Sequence, residues 1–443
     1  MKHFLSALCL LIVLPGLSQR DCRSFDYRQQ QLKADPSLAA TVASIEDFTA
    51  RQLKGRSTAV TGYGAGSTGS TGNAGSTGNT GSANPLSSNA LPLITIPVVV
   101  HIVYNTAAEN ISDAQVESQI GVLNADYQKL NADTAQIPAY YRSLAANCGF
   151  RFGLALQDTN GQATTGIVRT HTNAGSFSIN DNMKFTAMGG DDAWDRDRYL
   201  NIWVCNLTGG VLGYSSMVGG PKATDGVVVL YTAFGTSGTA AAPFNKGRTA
   251  THEIGHWLNM IHVWGDDSCG NDQVADTPPQ QAATYGDPSG IILSCGNTPY
   301  GNLYMDYMDF TDDIGMHLFT YGQRDRMQAL FAPGGFRYPL LSSDVPVESE
   351  ARTDSATAET ATAGGPGLAL YPNPAVGVVS VKLSDASGIG GMLDVYNQLG
   401  QKVMTMRVTA LVFQIDVSTL GKGIYFVRVS DGKSGKTVKM VKI

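Results

Sequence analysis

The chain has 443 residues, a formal charge of −6 and 43% hydrophobic residues, too long for one ordinary domain and too apolar for wholesale disorder. Charged residues make up 15%, against roughly 25% in an average soluble domain. With 50 glycines and a mild acidity, this composition argues against nucleic acid as a partner and points to an exported, strand- or linker-rich protein.

Residues 1–18 have the pattern of a secretory signal: Lys2 and His3, an apolar run from Phe4 to Leu14, then the small residues Gly16 and Ser18. The run is too short to span a bilayer, and no other stretch reads as a membrane span. Export permits disulfides among the five remaining cysteines, and an odd number leaves at least one unpaired. Residues 19–56 are polar, with a helix predicted over Asp35–Leu53. Residues 57–91 repeat Gly-Ser-Thr-Gly units without a charged residue and form a first linker.

The main domain is assigned to 92–340. Its nearly continuous β-branched run Ile94–Tyr104 suits a central strand. Ser112 caps a predicted helix to about Leu130, and strands follow at Phe150–Leu156, Leu200–Asn206 and Val227–Ala233. This order reads as an α/β (α+β) domain with a mixed sheet. A Ser/Thr/Ala/Glu-rich second linker covers 341–366. Short alternating strands over 367–443 predict a small Ig-like β-sandwich. That tail carries nine basic and four acidic residues, whereas 92–340 carries 13 basic and 23 acidic ones, so the modules differ in charge.

The segment His252-Glu253-Ile254-Gly255-His256 carries the chemistry. On a helix the two histidines lie one turn apart on one face and can share a zinc ion. Glu253 beside them is placed as a general base for hydrolysis. His262 lies six residues beyond His256, so a continuous helix puts it on another face. A sharp turn near Asn259, a residue tolerant of the left-handed conformation, brings it back as a third ligand.

This run resembles the metzincin signature HExxHxxGxxH, with Asn259 where most members carry Gly. Within the metzincins, Leu93–Tyr338 is similar to the pappalysin family and its bacterial cytophagalysin branch. Pro97-Val98-Val99-Val100-His101, Thr164-Thr165-Gly166-Ile167, Leu200-Asn201-Ile202-Trp203-Val204 and His256-Trp257-Leu258 carry the likeness. The resemblance implies a twisted sheet, an active-site helix, a lower subdomain and zinc endopeptidase activity on protein or peptide substrates. It implies a methionine turn at Met308, with Met305 as the alternative frame. The tyrosine of that turn is replaced by Phe310, for which Tyr307 or Tyr304 could substitute. It further implies Asp313 in the pocket for the residue after the scissile bond, favouring Arg or Lys there. Cys269 and Cys295 resemble one family disulfide, and Asp272, Val274, Asp276 and Thr277 resemble the calcium loop. Cys22 resembles a cysteine switch in the pro-segment 19–56, its thiolate favoured by Arg20 and Arg23. Cys148 and Cys205 bridge each other or stay free and buried. His101, His171 and His317 are read as structural.

Leu370-Tyr371-Pro372-Asn373-Pro374, Asn397-Gln398-Leu399-Gly400 and Leu420-Gly421-Lys422-Gly423-Ile424-Tyr425-Phe426-Val427 together resemble the C-terminal sorting domain of the type IX (Por) secretion system of Bacteroidetes. This implies passage across the outer membrane to the surface or the medium. The leading expectation is a secreted zinc endopeptidase made as a zymogen. A zincin-fold surface adhesin that has lost catalysis, or a zinc amidase acting on cell-wall peptides, are the alternatives. If Arg or Lys follows the scissile bond, self-cleavage would fall before Arg51, Lys54 or Arg56.

Overall fold

A computed structural model describes residues 19–56, 93–348 and, within 368–442, all but 372–374, 376, 384–388, 398–400 and 431–434. The expected signal 1–18, the first linker 57–91 and the second linker beyond 348 lie outside the described residues. The chain divides into two units, Met1–Glu348 and Ser349–Ile443.

The first unit is built on a mixed sheet. Strand β1 (Ile94–Tyr104) is its central member, buried along most of its length, which explains its continuous apolar run. It pairs in parallel with β2 (Phe150–Leu154) and then β3 (Ile167–His171) along one edge, and with β4 (Leu200–Cys205) along the other. Beyond β4 lie β6 (Val227–Leu230), parallel, and the rim strand β5 (Gly213–Ser215), antiparallel to β6. The strands predicted to reach Leu156, Asn206 and Ala233 are thus shorter; after Leu230 the backbone tightens into a 3₁₀ turn over Tyr231–Ala233.

Strand alternation gives the sheet two apolar faces. Ile96, Val98, Val100, Ile202, Val204 and Val229 face the core shared with helices α3 (Asp113–Tyr127) and α4 (Arg248–Trp257). Ser112 caps α3 by accepting from the Gln115 amide at 3.2 Å. Val103, Trp203, Cys205 and Val228 face a second cluster on the opposite side, and Tyr27 joins it.

Residues 19–56 hold two helices, α1 (Ser24–Ala34) and α2 (Leu38–Arg56). The sequence pattern missed α1, whose residues are almost wholly polar; Tyr27 and Ser24 are its buried members. The lower part of the unit holds the short parallel pair β7 (Tyr285–Gly286) and β8 (Phe310–Thr311), followed by α5 (Tyr321–Ala329). The expected boundary at 340 is corrected to 348. Val345 is buried with Val99, Ala155 and Tyr199, and the Glu348 amide donates to the Leu154 carbonyl at 2.9 Å.

The second unit has two antiparallel sheets. One holds β9 (Leu368–Tyr371), β10 (Val378–Leu383) and β13 (Val412–Asp416). The other holds β11 (Met392–Asn397), β12 (Lys402–Arg407), β14 (Gly423–Ser430) and β15 (Gly435–Lys442). Val379, Val381, Val395, Val427 and Val429 bury into one core between them, as in a β-sandwich.

Candidate active site

Helix α4 delivers His252, Glu253 and His256 to the cleft and then stops. The Asn259 amide donates to the His256 carbonyl and the Met260 amide to the Gly255 carbonyl, both at 2.9 Å. Asn259 itself has φ 71°. This is a Schellman stop, in which the left-handed residue is most often Gly. The turn reverses the chain so that His262 faces His256, Nε2 to Nε2, at 3.1 Å. Behind α4, Trp257 donates to Asp225 at 2.7 Å and stacks under Arg337 at 3.8 Å, fixing the helix end.

Each imidazole is oriented by an acceptor behind it. His252 Nδ1 lies 2.6 Å from the Tyr307 carbonyl, and His256 Nδ1 lies 2.9 Å from the Met260 carbonyl. His262 Nδ1 bonds the Asp266 carboxylate. A carbonyl can only accept, so the proton sits on Nδ1 and the Nε2 lone pair faces the cleft. His252 and His256 Nε2 are 3.2 Å apart. Such crowding of lone pairs fits a cation among them, since a zinc tetrahedron with bonds of 2.0–2.1 Å has edges of about 3.3 Å. Burial, then the neighbouring histidines, holds His252 well below its usual range and His256 down to about 3, so both are neutral as a metal requires.

The fourth side of the cluster is Cys22. Its Sγ lies 3.5 Å from His256 Nε2 and 3.5 Å from Glu253 Oε2. Among the described residues, Cys22, His252, His256 and His262 bring their ligand atoms within 4.8 Å of one another. The backbone of residues 21–23 runs parallel to β5: the Arg23 amide donates to the Gly213 carbonyl at 3.1 Å, and the Leu212 amide to the Asp21 carbonyl at 2.9 Å. Gly213 is required at this rim, because a Cβ there would sit 2.9 Å from Glu253 Cγ. Ser24 Oγ donates to Glu253 Oε2 at 2.7 Å and accepts from the Ser215 amide at 2.8 Å. Burial pushes the Glu253 carboxyl up to about 7 against these two bonds from Ser24 and Cys22.

Arg20 enters a closed pocket. Its guanidinium donates to Asp313 Oδ1 at 2.5 Å, Thr249 Oγ1 at 3.1 Å and the Thr311 carbonyl at 3.0 Å, and lies over the Phe244 ring. Asp313 Oδ2 accepts from the Lys246 amide at 2.7 Å. The two arginines expected to favour a Cys22 thiolate have other partners. Arg20 serves Asp313, and Arg23 pairs with Asp21 and Asp26. Tyr27, one turn into α1, donates to Asp181 at 2.5 Å and packs on Tyr214.

The comparisons with known proteins agree with this geometry. A family model described as pregnancy-associated plasma protein-A, a peptidase family, matches residues 186–332. An extracellular metalloprotease of Pyricularia oryzae is 32% identical over 54% of this chain and 75% of its own length. The chain belongs to the pappalysin metalloproteases. It is similar to Tannerella forsythia mature mirolysin, solved with a cleaved peptide: 49% identity, covering 57% of this chain and 96% of that one, TM-score 0.56. It also resembles a T. forsythia promirolysin mutant: 40% identity, 73% and 97% coverage, TM-score 0.61. A second family model, a secretion system C-terminal sorting domain, matches residues 369–443. The chain is therefore a secreted zinc endopeptidase of the zymogen type, exported by the type IX route. Among the described residues, no helix is long and apolar enough to cross a membrane.

In this metalloprotease Met308 lies under α4, so close that a Cβ on Gly255 would meet its sulfur at 2.4 Å. Met305 packs in a separate cluster with Tyr141, Tyr304 and Leu318. The substitutes considered for the missing tyrosine hydroxyl point elsewhere. Tyr304 donates to the Gly290 carbonyl at 2.9 Å, and the Tyr307 ring is buried against Phe319 and Arg248. Phe310 instead packs edge-on to His262 and Trp264, with the half-exposed Tyr285 against its other side. Cys269 and Cys295 form a disulfide, while Cys148 and Cys205 are buried and unbridged.

The loop expected to hold calcium is split. Thr277 Oγ1 donates to Asp272 at 2.7 Å and to the Val274 carbonyl at 3.0 Å. Asp276 turns away, accepting from Thr320 Oγ1 at 2.7 Å and from the Gly322 amide at 2.9 Å at the start of α5. His101 is held by Asp191 and Asn201 in the sheet. His171 packs edge-on to Tyr104, and His317 is buried 3.7 Å from Asp133. The sequence reading missed Ser24, Asp266 and Trp264. Asp266 had a signal, being four residues after His262; Ser24 had none.

Proposed function

We propose that this metalloprotease cuts on the amino side of arginine, and secondarily lysine, and that residues 20–24 hold it latent by occupying its cleft. The observation that carries the reading is Arg20. An arginine already sits in the Asp313 pocket, with three of its donors paired. A guanidinium forms that fork and an ammonium does not, which favours Arg over Lys.

His252, His256 and His262 would hold the zinc ion, with Cys22 Sγ on the remaining side in the latent chain. When bound, zinc supplies the Lewis acidity that polarises the scissile carbonyl and acidifies the attacking water. Glu253 takes the proton from that water and returns it to the leaving amine. In the latent chain its carboxylate is engaged by Ser24 instead. Asp266 and the carbonyls of Tyr307 and Met260 keep the imidazole lone pairs aimed inward. Met308 forms the floor beneath Gly255. Departure of residues 20–24 opens the pocket and frees Glu253 together. The exposed side chains of Arg51 and Lys54 give the matching self-cleavage sites, with Arg56 next in the chain.

A structural calcium ion beside Asp272, the Val274 carbonyl and Thr277 is a further part of this reading, now without Asp276. Burial pushes the Asp272 carboxyl up to about 7, a cost that a hard cation would remove. Profiling a peptide library with the activated enzyme tests the specificity. Arg should dominate the position after the cut. A profile indifferent to charge there sinks the proposal.

A further inference from the structure

The Arg20–Ser24 contacts, with Tyr27 beside them, are one place where the pro-segment is gripped. Another lies on α2, some twenty residues on in the chain. Arg326 of α5 donates through Nη2 to both carboxylate oxygens of Glu46, at 2.7 and 2.8 Å. Asn259 donates to the same carboxylate at 3.0 Å. Arg326 is nearly fully buried and holds the Asn259 carbonyl through Nε at 2.8 Å. The departure from the usual Gly at 259 therefore supplies a donor for the pro-segment. The same face of α2 is apolar around Glu46. Thr41 and Ile45 lie against Gly219, where a Cβ would come within 3.1 Å of each, and Phe48 reaches Gly334. Residues 41, 45 and 48 form one helical stripe.

We propose that Asn259, Arg326 and the Gly219 turn form a second recognition surface of the catalytic unit, whose partner is an acid-bearing amphipathic helix, α2. The proposal rests on the zymogen reading and extends it. A cut before Arg51 or Lys54 leaves Arg20, Cys22, Tyr27, Ile45, Glu46 and Phe48 on one fragment. Both grips stay joined, and each raises the effective concentration of the other. Cleavage of the chain alone thus yields an enzyme with its inhibitor still bound. Release needs dissociation, or a second cut in the exposed joint Lys33–Ser37 between the two grips.

The test uses the full chain with Glu253→Ala to stop self-cleavage and a site for an unrelated protease inserted within 57–91. After that protease has cut, gel filtration and mass spectrometry follow the fragment ending in that stretch. It should co-elute with the catalytic unit, and Glu46→Gln should speed its loss by about tenfold or more. Both chains release the same catalytic polypeptide, so its melting must be identical, which separates lost docking from misfolding. Equal retention with Glu46→Gln overturns the proposal, as does immediate loss from the parent. In the Glu253 chain, peptide cleavage should lag behind the cut and the lag should shorten with Glu46→Gln. A cut chain that retains its fragment and is fully active would leave the surface standing but refute the latency reading.

Discussion

The cleft end and the α2 end of the pro-segment hold the same unit by different chemistry. At the cleft, Arg20, Cys22 and Ser24 engage Asp313, His256 and Glu253 in turn, through polar contacts. At α2, one carboxylate meets a buried guanidinium inside an apolar border. On the proposed specificity the first grip is tied to function, since a residue that binds arginine substrates there also binds Arg20. The second touches no reacting group, and its α2 side, Glu46, can vary without disturbing the turn at Asn259 that presents His262. On that proposal, specificity and latency are coupled at one end and separable at the other.

The largest effect falls on catalysis, at a residue that only the cleft grip touches. Glu253→Ala should keep zinc, measured by elemental analysis, and lower peptide hydrolysis by about 10²–10⁴-fold. Chelation should abolish activity in the activated parent, and added zinc should restore it. Next, Asp313→Asn should lower the preference for Arg after the cut by about 10–100-fold and also weaken latency, because Arg20 loses its charged partner. A variant with altered specificity but intact latency would break the proposed coupling. Gly255→Ala should destabilise the catalytic unit by about 1–3 kcal/mol in denaturant melts, through its clash with Met308. Asn259→Gly should be the smallest. It removes one hydrogen bond to Glu46 yet suits the left-handed turn, so release of the fragment should quicken by only about threefold with unchanged kcat/KM.

The zinc cluster was legible because a helix fixes the His252–His256 spacing and Asn259 is one of the few non-Gly residues that can end a helix in a left-handed turn. The central strand was equally plain, its apolar run having no polar face to hide. Helix α1 was not legible. Its residues are polar nearly throughout, and what orders it is contact with the cleft and with Asp181, distant in sequence. The partners of Arg20 and Asp276 stayed hidden for the same reason. Arg20 was judged by its neighbour Cys22, but its partner Asp313 lies 293 positions away. Asp276 was grouped with the loop it belongs to, whereas its carboxylate serves α5.

The segment ending at Glu348 sets a limit on how this protein can be trimmed. Val345 fills a small cluster beneath β1, and Val347 lies against Gly153, where even a methyl group would collide with it. Residues 343–348 are thus a clasp on the outer edge of the sheet, although they resemble linker in composition. A processing enzyme that detaches the sorting tail beyond 348 leaves the clasp shut. One that cuts at 340, where composition alone would place the joint, would open the edge next to β2 and expose Ala155 and Tyr199.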